Sequence, residues 1–316
     1  MIYLIIISFL LLIVAVLVAV YYVYRVAFYS RKKGQNDVYA VPVGEQYEPH
    51  KSEIVELIDK LSQIEYKDVY TTSFDGLRLH GRYYHVKDGA PLNIGFHGYR
   101  ATSLRDFCVG ANESLKRGHN ILLIDQRGQG KSEGKTITMG VKEHRDVLSW
   151  VEFANAHFGK DTKIILYGVS MGAASVLMST ALPLPENVTG VIADCPYNAP
   201  KDILLNVCQK DMGINPKIAY PFIWLAGRLF GNFDINAVSC ESAVRNSKIP
   251  VLILHGEDDR YVPCYMSEEI ERANKKLVTR YTFPNAGHGI SFFSDKERYR
   301  KITEAFFEEC TQDNKK

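Results

Sequence analysis

The sequence predicts an α/β fold in which helices cover both faces of a mostly parallel sheet. From residue 92 onward, short apolar β-branched runs alternate with segments of helical periodicity. Such alternation is typical of parallel sheets, which bind ligands at the carboxyl ends of their strands. The predicted strands are 92–96, 120–124, 163–167, 188–193, 250–255 and 277–283, and the predicted helices are 103–117, 138–157, 171–181, 264–275 and 292–309.

Composition limits the possible classes of protein. A chain of 316 residues can hold one large α/β domain and a small addition. Charged residues make up 23% and the formal net charge is +2, a balance that gives no indication of a nucleic-acid partner. The six cysteines have no paired or metal-type spacing, which favours reduced thiols in a reducing compartment.

The N-terminus differs in character from the rest of the chain. Residues 2–24 carry no charge, and a helix of about 20 apolar residues matches the hydrocarbon thickness of a bilayer. Tyrosines lie near both ends of the segment, where interfacial aromatics are expected. We therefore predict a transmembrane anchor over residues 1–29, through which the chain contacts membrane lipid. A cleaved signal peptide fits less well, because the segment lacks a basic leading region and a small-residue cleavage site.

Charges next to this segment predict its orientation. Arg25, Arg31, Lys32 and Lys33 follow the apolar run, and no Lys or Arg precedes it. By the positive-inside rule, a single-pass protein of this kind keeps its large C-terminal part in the cytoplasm. The Asn-x-Ser/Thr triplets at 112 and 187 are short enough to occur by chance and do not change this expectation.

A juxtamembrane linker and helix are predicted over residues 30–65. Residues 50–64 place Ile54, Ile58 and Leu61 on one helical face. Two strand-like runs follow, 68–73 and 77–86, and the Phe-Asp-Gly sequence between them indicates a hairpin. We expect these strands to begin a domain that covers residues 66–312.

The sequence Gly-x-Ser-x-Gly at residues 168–172 lies between a predicted strand and a predicted helix. Its glycines suit a strained turn in which the backbone passes close to itself. The pattern therefore predicts that Ser170 is a nucleophile. The N–H of Met171 opens the following helix, and Gly98 after strand 92–96 lets the N–H of Tyr99 point to the same place. Together these two amides would form an oxyanion hole.

A general base and an acid are predicted further along the chain. His288 follows strand 277–283 on a glycine-flanked loop, which makes it the candidate base. Two residues are candidates for the acid. One is Asp259, the last of three acidic residues that follow strand 250–255, and the other is Asp194, at the end of strand 188–193. We expect His97 to hold its own loop by ring hydrogen bonds rather than to act as a base.

These motifs resemble the α/β-hydrolase superfamily over residues 66–312, including monoacylglycerol lipases and related esterases. The order Ser, Asp, His and the pattern His-Gly-x-x-Asp-x-x-Val-Pro at residues 255–263 carry the resemblance. It implies a triad of Ser170, Asp259 and His288 that needs no metal or cofactor, and it favours Asp259 over Asp194. It also implies a helical cap at about 196–248. The apolar stretch 218–230 in this cap would pack on the sheet domain, line an acyl pocket, or do both.

Residues 125–134 contain Gly-Lys-Ser and Gly-Lys-Thr sequences that suggest a phosphate loop. The glycine required five positions earlier is replaced by Asp125 or Gln129, and Glu133 stands where a dinucleotide motif needs its third glycine. We therefore expect no nucleotide partner. In the superfamily this segment is a structural turn near the rim of the active site.

The predicted function is a membrane-anchored serine hydrolase that cleaves small-molecule or lipid carboxylic esters through an acyl-enzyme. The superfamily also includes thioesterases and peptidases, so the fold alone does not select the substrate. The anchor and the apolar cap favour an ester of lipid origin. A peptidase, amidase or thioesterase of the same fold, or a non-catalytic membrane-tethered interaction module, remain as alternatives.

Overall fold

The protein is described by a computed structural model that covers residues 1–30, 39, 41 and 44–312. Its centre is an eight-stranded sheet in the order β1-β2-β4-β3-β5-β6-β7-β8. The strands are β1 Lys67–Thr72, β2 Arg78–Tyr84, β3 Leu92–Phe96, β4 Asn120–Asp125, β5 Ile164–Val169, β6 Val188–Asp194, β7 Val251–Gly256 and β8 Val278–Phe283.

The strand predictions are confirmed to within two residues at each end. The predicted hairpin is present, because β1 and β2 pair antiparallel, and β2 pairs antiparallel with β4. All the remaining strand pairs are parallel. The carboxyl ends of these parallel strands therefore meet at one edge of the sheet, as the predicted α/β class requires.

Twelve α-helices are described among the residues that the structure covers. They are α1 Ile2–Ala27, α2 Lys51–Ser62, α3 Ser103–Asp106, α4 Cys108–Lys116, α5 Glu143–Phe158, α6 Met171–Ser179, α7 Pro200–Met212, α8 Pro216–Ala226, α9 Cys240–Val244, α10 Tyr265–Ala273, α11 Ser291–Ser294 and α12 Lys296–Thr311. A 3-10 turn, Glu48–His50, precedes α2, and a π turn, Gly227–Gly231, continues α8.

Side chains alternate between two apolar layers, one on each face of the sheet. Ile164 and Leu166 belong to the layer under α5 and α6, which also contains the fully buried Trp150. Ile165 and Tyr167 belong to the opposite layer under α4 and α12. This period of two along β5 is expected when a strand is buried on both faces, and helices cover both faces here.

Three predicted helices differ from the structure. Helix 138–157 begins only at Glu143, whose carboxylate accepts the N–H groups of Thr138 and Gly140 at 2.8 and 2.9 Å and so holds the preceding residues in a turn. Helix 103–117 divides at Phe107, which leaves helical geometry and packs against the Tyr167 ring. Helix 292–309 divides at Asp295, whose side chain caps α12.

Helices α7, α8 and α9 connect β6 to β7 and form the cap. The end of α1 packs on this cap, where the Phe230 ring lies 5.1 and 5.9 Å from the rings of Tyr21 and Tyr24. Most of α1 makes no such contact: an 18-residue window of mean hydropathy 3.2 is not buried at all, so by length and composition the helix is able to cross a membrane. Of the four predicted flanking charges, Arg25 is described, whereas residues 31–33 lie outside the described residues.

Residues 125–134 form a turn held by internal ion pairs. The buried Arg127 guanidinium donates to both oxygens of Asp146 at 2.6 Å and to both oxygens of Asp75 at 3.0 Å. Asp125 accepts from the Lys131 N–H at 2.9 Å and lies 2.7 Å from His80 Nδ1. These polar groups are engaged within the protein, in agreement with a structural role for the segment.

The junction of β5 and α6 leaves no room for additional atoms. A Cβ placed on Gly172 would lie 1.7 Å from the Phe96 carbonyl oxygen, and one on Gly168 would lie 2.3 Å from the Gly172 carbonyl. Both contacts are to backbone, which cannot move aside without displacing β3 or α6. The two glycines that the sequence places around Ser170 are therefore required by packing.

We predict that Gly172→Ala lowers the free energy of unfolding by more than about 4 kcal/mol, at the exceptional end for one substitution. The matched control is Gly213→Ala. Gly213 is left-handed (φ +66°), but nothing lies within 4 Å of its added Cβ, so this change costs only about 1–2 kcal/mol of strain. Thermal unfolding of the full chain in detergent measures both. Equal losses for the two variants would contradict the packing argument.

Candidate active site

Ser170 occupies a strained position between β5 and α6. Its φ is +54° and its ψ is −114°, values that a residue with a side chain rarely adopts. The surroundings hold it there: its N–H donates to the Asp194 carbonyl at 2.9 Å, and its own carbonyl accepts from the Ala174 N–H at 3.0 Å. Strain that is held in this way is typical of functional sites.

The structure brings Ser170, His288 and Asp259 into one hydrogen-bonded row. His288 Nε2 lies 2.9 Å from Ser170 Oγ, and His288 Nδ1 lies 2.6 Å from Asp259 Oδ2. The other Asp259 oxygen accepts the N–H groups of Tyr261 and Val262 at 2.9 and 2.8 Å. With the Nδ1 proton directed to Asp259, His288 Nε2 is able to accept the proton of the serine hydroxyl.

Two further residues, neither of them predicted as a site residue, support this row. His255 Nε2 lies 3.3 Å from Asp259 Oδ2 and 2.9 Å from the Val262 carbonyl oxygen. The Tyr47 hydroxyl donates to the His288 carbonyl at 2.8 Å. His255 opens the same His-Gly-x-x-Asp pattern as Asp259, so that pattern was an available signal. Tyr47 lies in the predicted linker, where no local pattern indicates a role.

The pKa values of the pair shift in opposite directions. Burial by itself would lower the pKa of His288, but the ionised Asp259 carboxylate outweighs it, and the pKa lies above its usual value. Burial would raise the pKa of Asp259, but the rings of His288 and His255 hold it well below its usual range. Asp259 is therefore ionised at neutral pH, and it favours a protonated His288.

Asp194, the alternative acid, is bonded elsewhere. It is buried at the end of β6, and its Oδ2 accepts from the Tyr299 hydroxyl at 3.0 Å. Burial raises its pKa to about 6. No hydrogen bond joins Asp194 to His288 among the residues that the structure describes. The geometry at the imidazole thus favours Asp259.

Cys195, Asp259 and His288 place a thiol, a carboxylate and an imidazole within 4.8 Å of one another. Burial raises the pKa of the Cys195 thiol to about 11, so at neutral pH it is not the thiolate that binds metals. Its Sγ lies 3.8 Å from His288 Nε2, whereas Asp259 contacts Nδ1 on the other side of the ring. The cluster therefore fits hydrogen bonding better than coordination of one ion.

The loop after β3 passes directly beside Ser170. A Cβ placed on Gly98 would lie 3.4 Å from the Ser170 Cβ, and the Gly98 N–H donates to Asp106 Oδ2 at 2.7 Å. Tyr99 follows in this loop, and Met171 is the first residue of α6, where N–H groups have no partner within the helix. Both residues line the same cavity as Ser170.

His97 holds this loop from behind. Its Nδ1 lies 2.8 Å from the Gly98 carbonyl, and its Nε2 accepts from the Gln126 N–H at 3.2 Å. The ring is fully buried, which lowers its pKa and keeps it neutral. These contacts agree with the structural role that the sequence predicts.

The same loop is also tied to α1. The Tyr99 hydroxyl donates to the Ala27 carbonyl at 2.8 Å, and Arg100 Nη2 donates to the carbonyls of Val26 and Tyr29 at 2.7 and 3.1 Å. The last turn of α1 is thereby bound to the segment beside Ser170. Nothing in the sequence indicates this contact, because its partners are more than 70 residues apart.

A cavity of about 900 Å³ opens above Ser170. This volume is near the upper end of the roughly 300–1,000 Å³ range of ligand pockets. Ser170 and His288 lie in its wall, and most of the remaining wall is apolar. The apolar contributors from α1 and the cap are Ala19, Val23, Val26, Ala27, Ile203, Leu204, Val207, Met212, Ile214, Ile218, Ala219, Phe222 and Ile223.

Known protein sequences resemble this chain. A family model described as serine aminopeptidase, S33, matches residues 93–248. The chain is 26% identical over 194 residues to the uncharacterized protein YqkD of Bacillus subtilis, covering 61% of this chain and 64% of the relative. It is 30% identical over 221 residues to the human protein ABHD12B, covering 63% and 56%. The chain therefore spans less than two thirds of the length of either relative.

Solved structures share the fold. An esterase of Pyrococcus furiosus, Pf2001, superposes with a TM-score of 0.66 at 23% identity and covers 80% of this chain and 94% of its own. Est1E of Butyrivibrio proteoclasticus, solved with ferulic acid, gives a TM-score of 0.60 at 22% identity and covers 77% and 98%. The chain therefore has the α/β-hydrolase fold, and its sequence is similar to members of that superfamily.

Proposed function

We propose that the protein is a serine hydrolase that cleaves carboxylic esters through an acyl-enzyme. The observation that carries the proposal is the continuous row from Ser170 Oγ through His288 to Asp259, with distances of 2.9 and 2.6 Å. Nucleophile, base and orienting acid in this geometry match the roles that a serine triad requires.

In the proposed reaction, Ser170 Oγ attacks the ester carbonyl carbon while His288 Nε2 takes the hydroxyl proton. The oxyanion that forms accepts hydrogen bonds from the amides of Tyr99 and Met171. His288 then returns the proton to the leaving oxygen, the C–O bond breaks, and an alcohol departs. Water attacks the acyl-Ser170 ester with His288 again as base, which releases the acid and restores the serine.

An ester is the favoured substrate because the cavity wall is largely apolar and the structural neighbours include esterases. The description of the matched family as a serine aminopeptidase supports an amide as the second candidate. An aminopeptidase must also recognise a free amine. Comparing one acyl group presented as an ester, a thioester and an aminoacyl amide distinguishes these substrates.

We also propose that α1 anchors the protein in a membrane with the catalytic domain in the cytoplasm. The exposed apolar surface of α1 and the position of Arg25 at its C-terminal end support this orientation.

We predict that a fluorophosphonate modifies Ser170 of the full chain in detergent, as mass spectrometry of its peptides would show. Ser170→Ala is expected to lose the adduct and to lower kcat by roughly 10⁶-fold. Asp259→Asn is expected to lower it by about 10⁴-fold, because the base is held in the wrong tautomer. The control is Ser242→Ala, an exposed serine in the cap. Absence of an adduct in both detergent and lipid vesicles would instead favour a non-catalytic interaction module.

We predict that kcat/KM increases with pH through a midpoint above about 6.5, the ordinary pKa of histidine. The imidazolium form of His288 cannot accept the serine proton, and its raised pKa moves the acidic limb of the profile to higher pH. The control is Asp194→Asn, which removes a second buried group of the same cavity, whose pKa is raised to about 6. A midpoint near 6 that disappears in this variant would assign the limb to Asp194.

We predict that a C-terminal fluorescent-protein fusion expressed in bacteria is fluorescent and that a C-terminal alkaline phosphatase fusion is inactive. Alkaline phosphatase needs disulfides that form outside the cytoplasm, so it reports the opposite orientation. Replacing the flanking basic residues Arg25, Arg31, Lys32 and Lys33 by Gln is expected to weaken this preference. An active phosphatase fusion of the unmodified chain would contradict the orientation.

A further inference from the structure

The end of α1 forms part of the wall of the active-site cavity. Ala19, Tyr22, Val23, Val26 and Ala27 line the cavity that also contains Ser170 and His288. They recur at intervals of three and four residues and so share one face of the helix. From Ala19 to Ala27 this face extends about 12 Å along the helix axis.

This part of α1 corresponds to the level of a membrane surface. The 26 residues of α1 extend about 39 Å at 1.5 Å per residue, whereas the hydrocarbon core of a bilayer is about 30 Å thick. The last two turns therefore extend into the headgroup region when the N-terminal part spans the core. The cavity-lining face lies in these turns and just below them.

Exposed apolar residues of the cap lie on the same cavity. Met212 and Ile218 are 53% and 62% exposed, yet both line it, as does Tyr22 of α1, which is 69% exposed. Leu229, in the middle of the π turn beside α1, is 55% exposed. Large apolar side chains that rim a cavity next to a membrane-length helix fit contact with lipid better than contact with water.

The α1 wall is fixed relative to the reacting atoms. Tyr99 bonds the Ala27 carbonyl, and Arg100 bonds the Val26 carbonyl. The Tyr24 hydroxyl lies 2.8 Å from Thr136 Oγ1, and the Phe28 carbonyl accepts from the Ile137 N–H at 2.8 Å. A group that lies against α1 is therefore held at a defined distance from Ser170.

We propose that the substrate is a long-chain acyl ester of a membrane lipid, which enters from the bilayer between α1 and the cap, with its acyl chain against α1. The inference rests on the proposed function and adds to it the substrate class and the route. It assigns to the membrane helix a direct part in binding the substrate.

The test is Val23→Trp in the full chain, which places a large ring in the cavity wall. The matched control is Val14→Trp on the same helix. Val14 is 56% exposed and lies nine residues away, two and a half turns, on the opposite face. Hydrolysis of p-nitrophenyl palmitate and p-nitrophenyl butyrate is compared in detergent. We expect Val23→Trp to lower kcat/KM at least tenfold for palmitate and less than twofold for butyrate, and Val14→Trp to change neither.

Fluorophosphonate labelling of Ser170 distinguishes the failure of this inference from failure of the proposed function. If the wild type is neither labelled nor active on butyrate, the proposed function fails. If Val23→Trp is labelled normally but changes the hydrolysis of both esters equally, or of neither, the inference that the acyl chain lies against α1 is overturned. If Val23→Trp is not labelled, Ala19→Trp at an exposed cavity-lining position replaces it, and the same comparison of esters decides.

The route is tested with the wild type in phosphatidylcholine vesicles. Palmitoyl ester incorporated in the vesicles that contain the protein is expected to be hydrolysed at least tenfold faster than ester supplied in separate vesicles. Equal rates would overturn entry from the bilayer, because the substrate would then reach Ser170 through water.

Discussion

The site depends on one packing constraint: the backbone at Gly168, at Gly172 and at Phe96, the end of β3, comes into very close contact. Gly172 lies so near the Phe96 carbonyl that only hydrogen fits between them, and a Cβ on Gly168 would also overlap the Gly172 carbonyl. This contact fixes the start of α6 against the end of β3, and with it the distance between Met171 and the Tyr99 loop. Ser170 has its strained conformation because the chain must turn within that space. The parallel register of the sheet brings Asp259, after β7, and His288, after β8, to the same edge of the sheet as Ser170.

Electrostatics then differentiate groups that are similar in sequence. Asp194 and Asp259 are both buried carboxylates near the carboxyl ends of neighbouring strands. Asp259 receives two backbone N–H groups and two imidazole rings, which stabilise its charge despite burial. Asp194 has the Tyr299 hydroxyl, and burial dominates, so its pKa increases. The number of donors around each carboxylate accounts for the difference.

The strands and the proximity of Ser170 to His288 were predictable because they depend on short patterns and on the geometry of parallel sheets. The helix boundaries at Phe107, Glu143 and Asp295 were not, since each depends on a side chain whose partner is set by tertiary packing or by a local cap. The contacts of Tyr47 with His288 and of Ala27 with Tyr99 were also beyond sequence reasoning. They join residues 241 and 72 positions apart, and no periodicity marks them.

These two contacts bear on which residues a fragment must include to keep the site as it is in the full chain. Tyr47 supports the loop of His288, and Ala27 supports the loop beside Ser170, yet both precede the domain boundary predicted at residue 66. A fragment cut at that boundary would retain every residue of the triad and lose an external support on each side of it. A fragment that starts near residue 45 would keep one support and lose the other. Helix α1 is in this sense part of the site around Ser170, so a fragment purified without it lacks contacts that the full chain has.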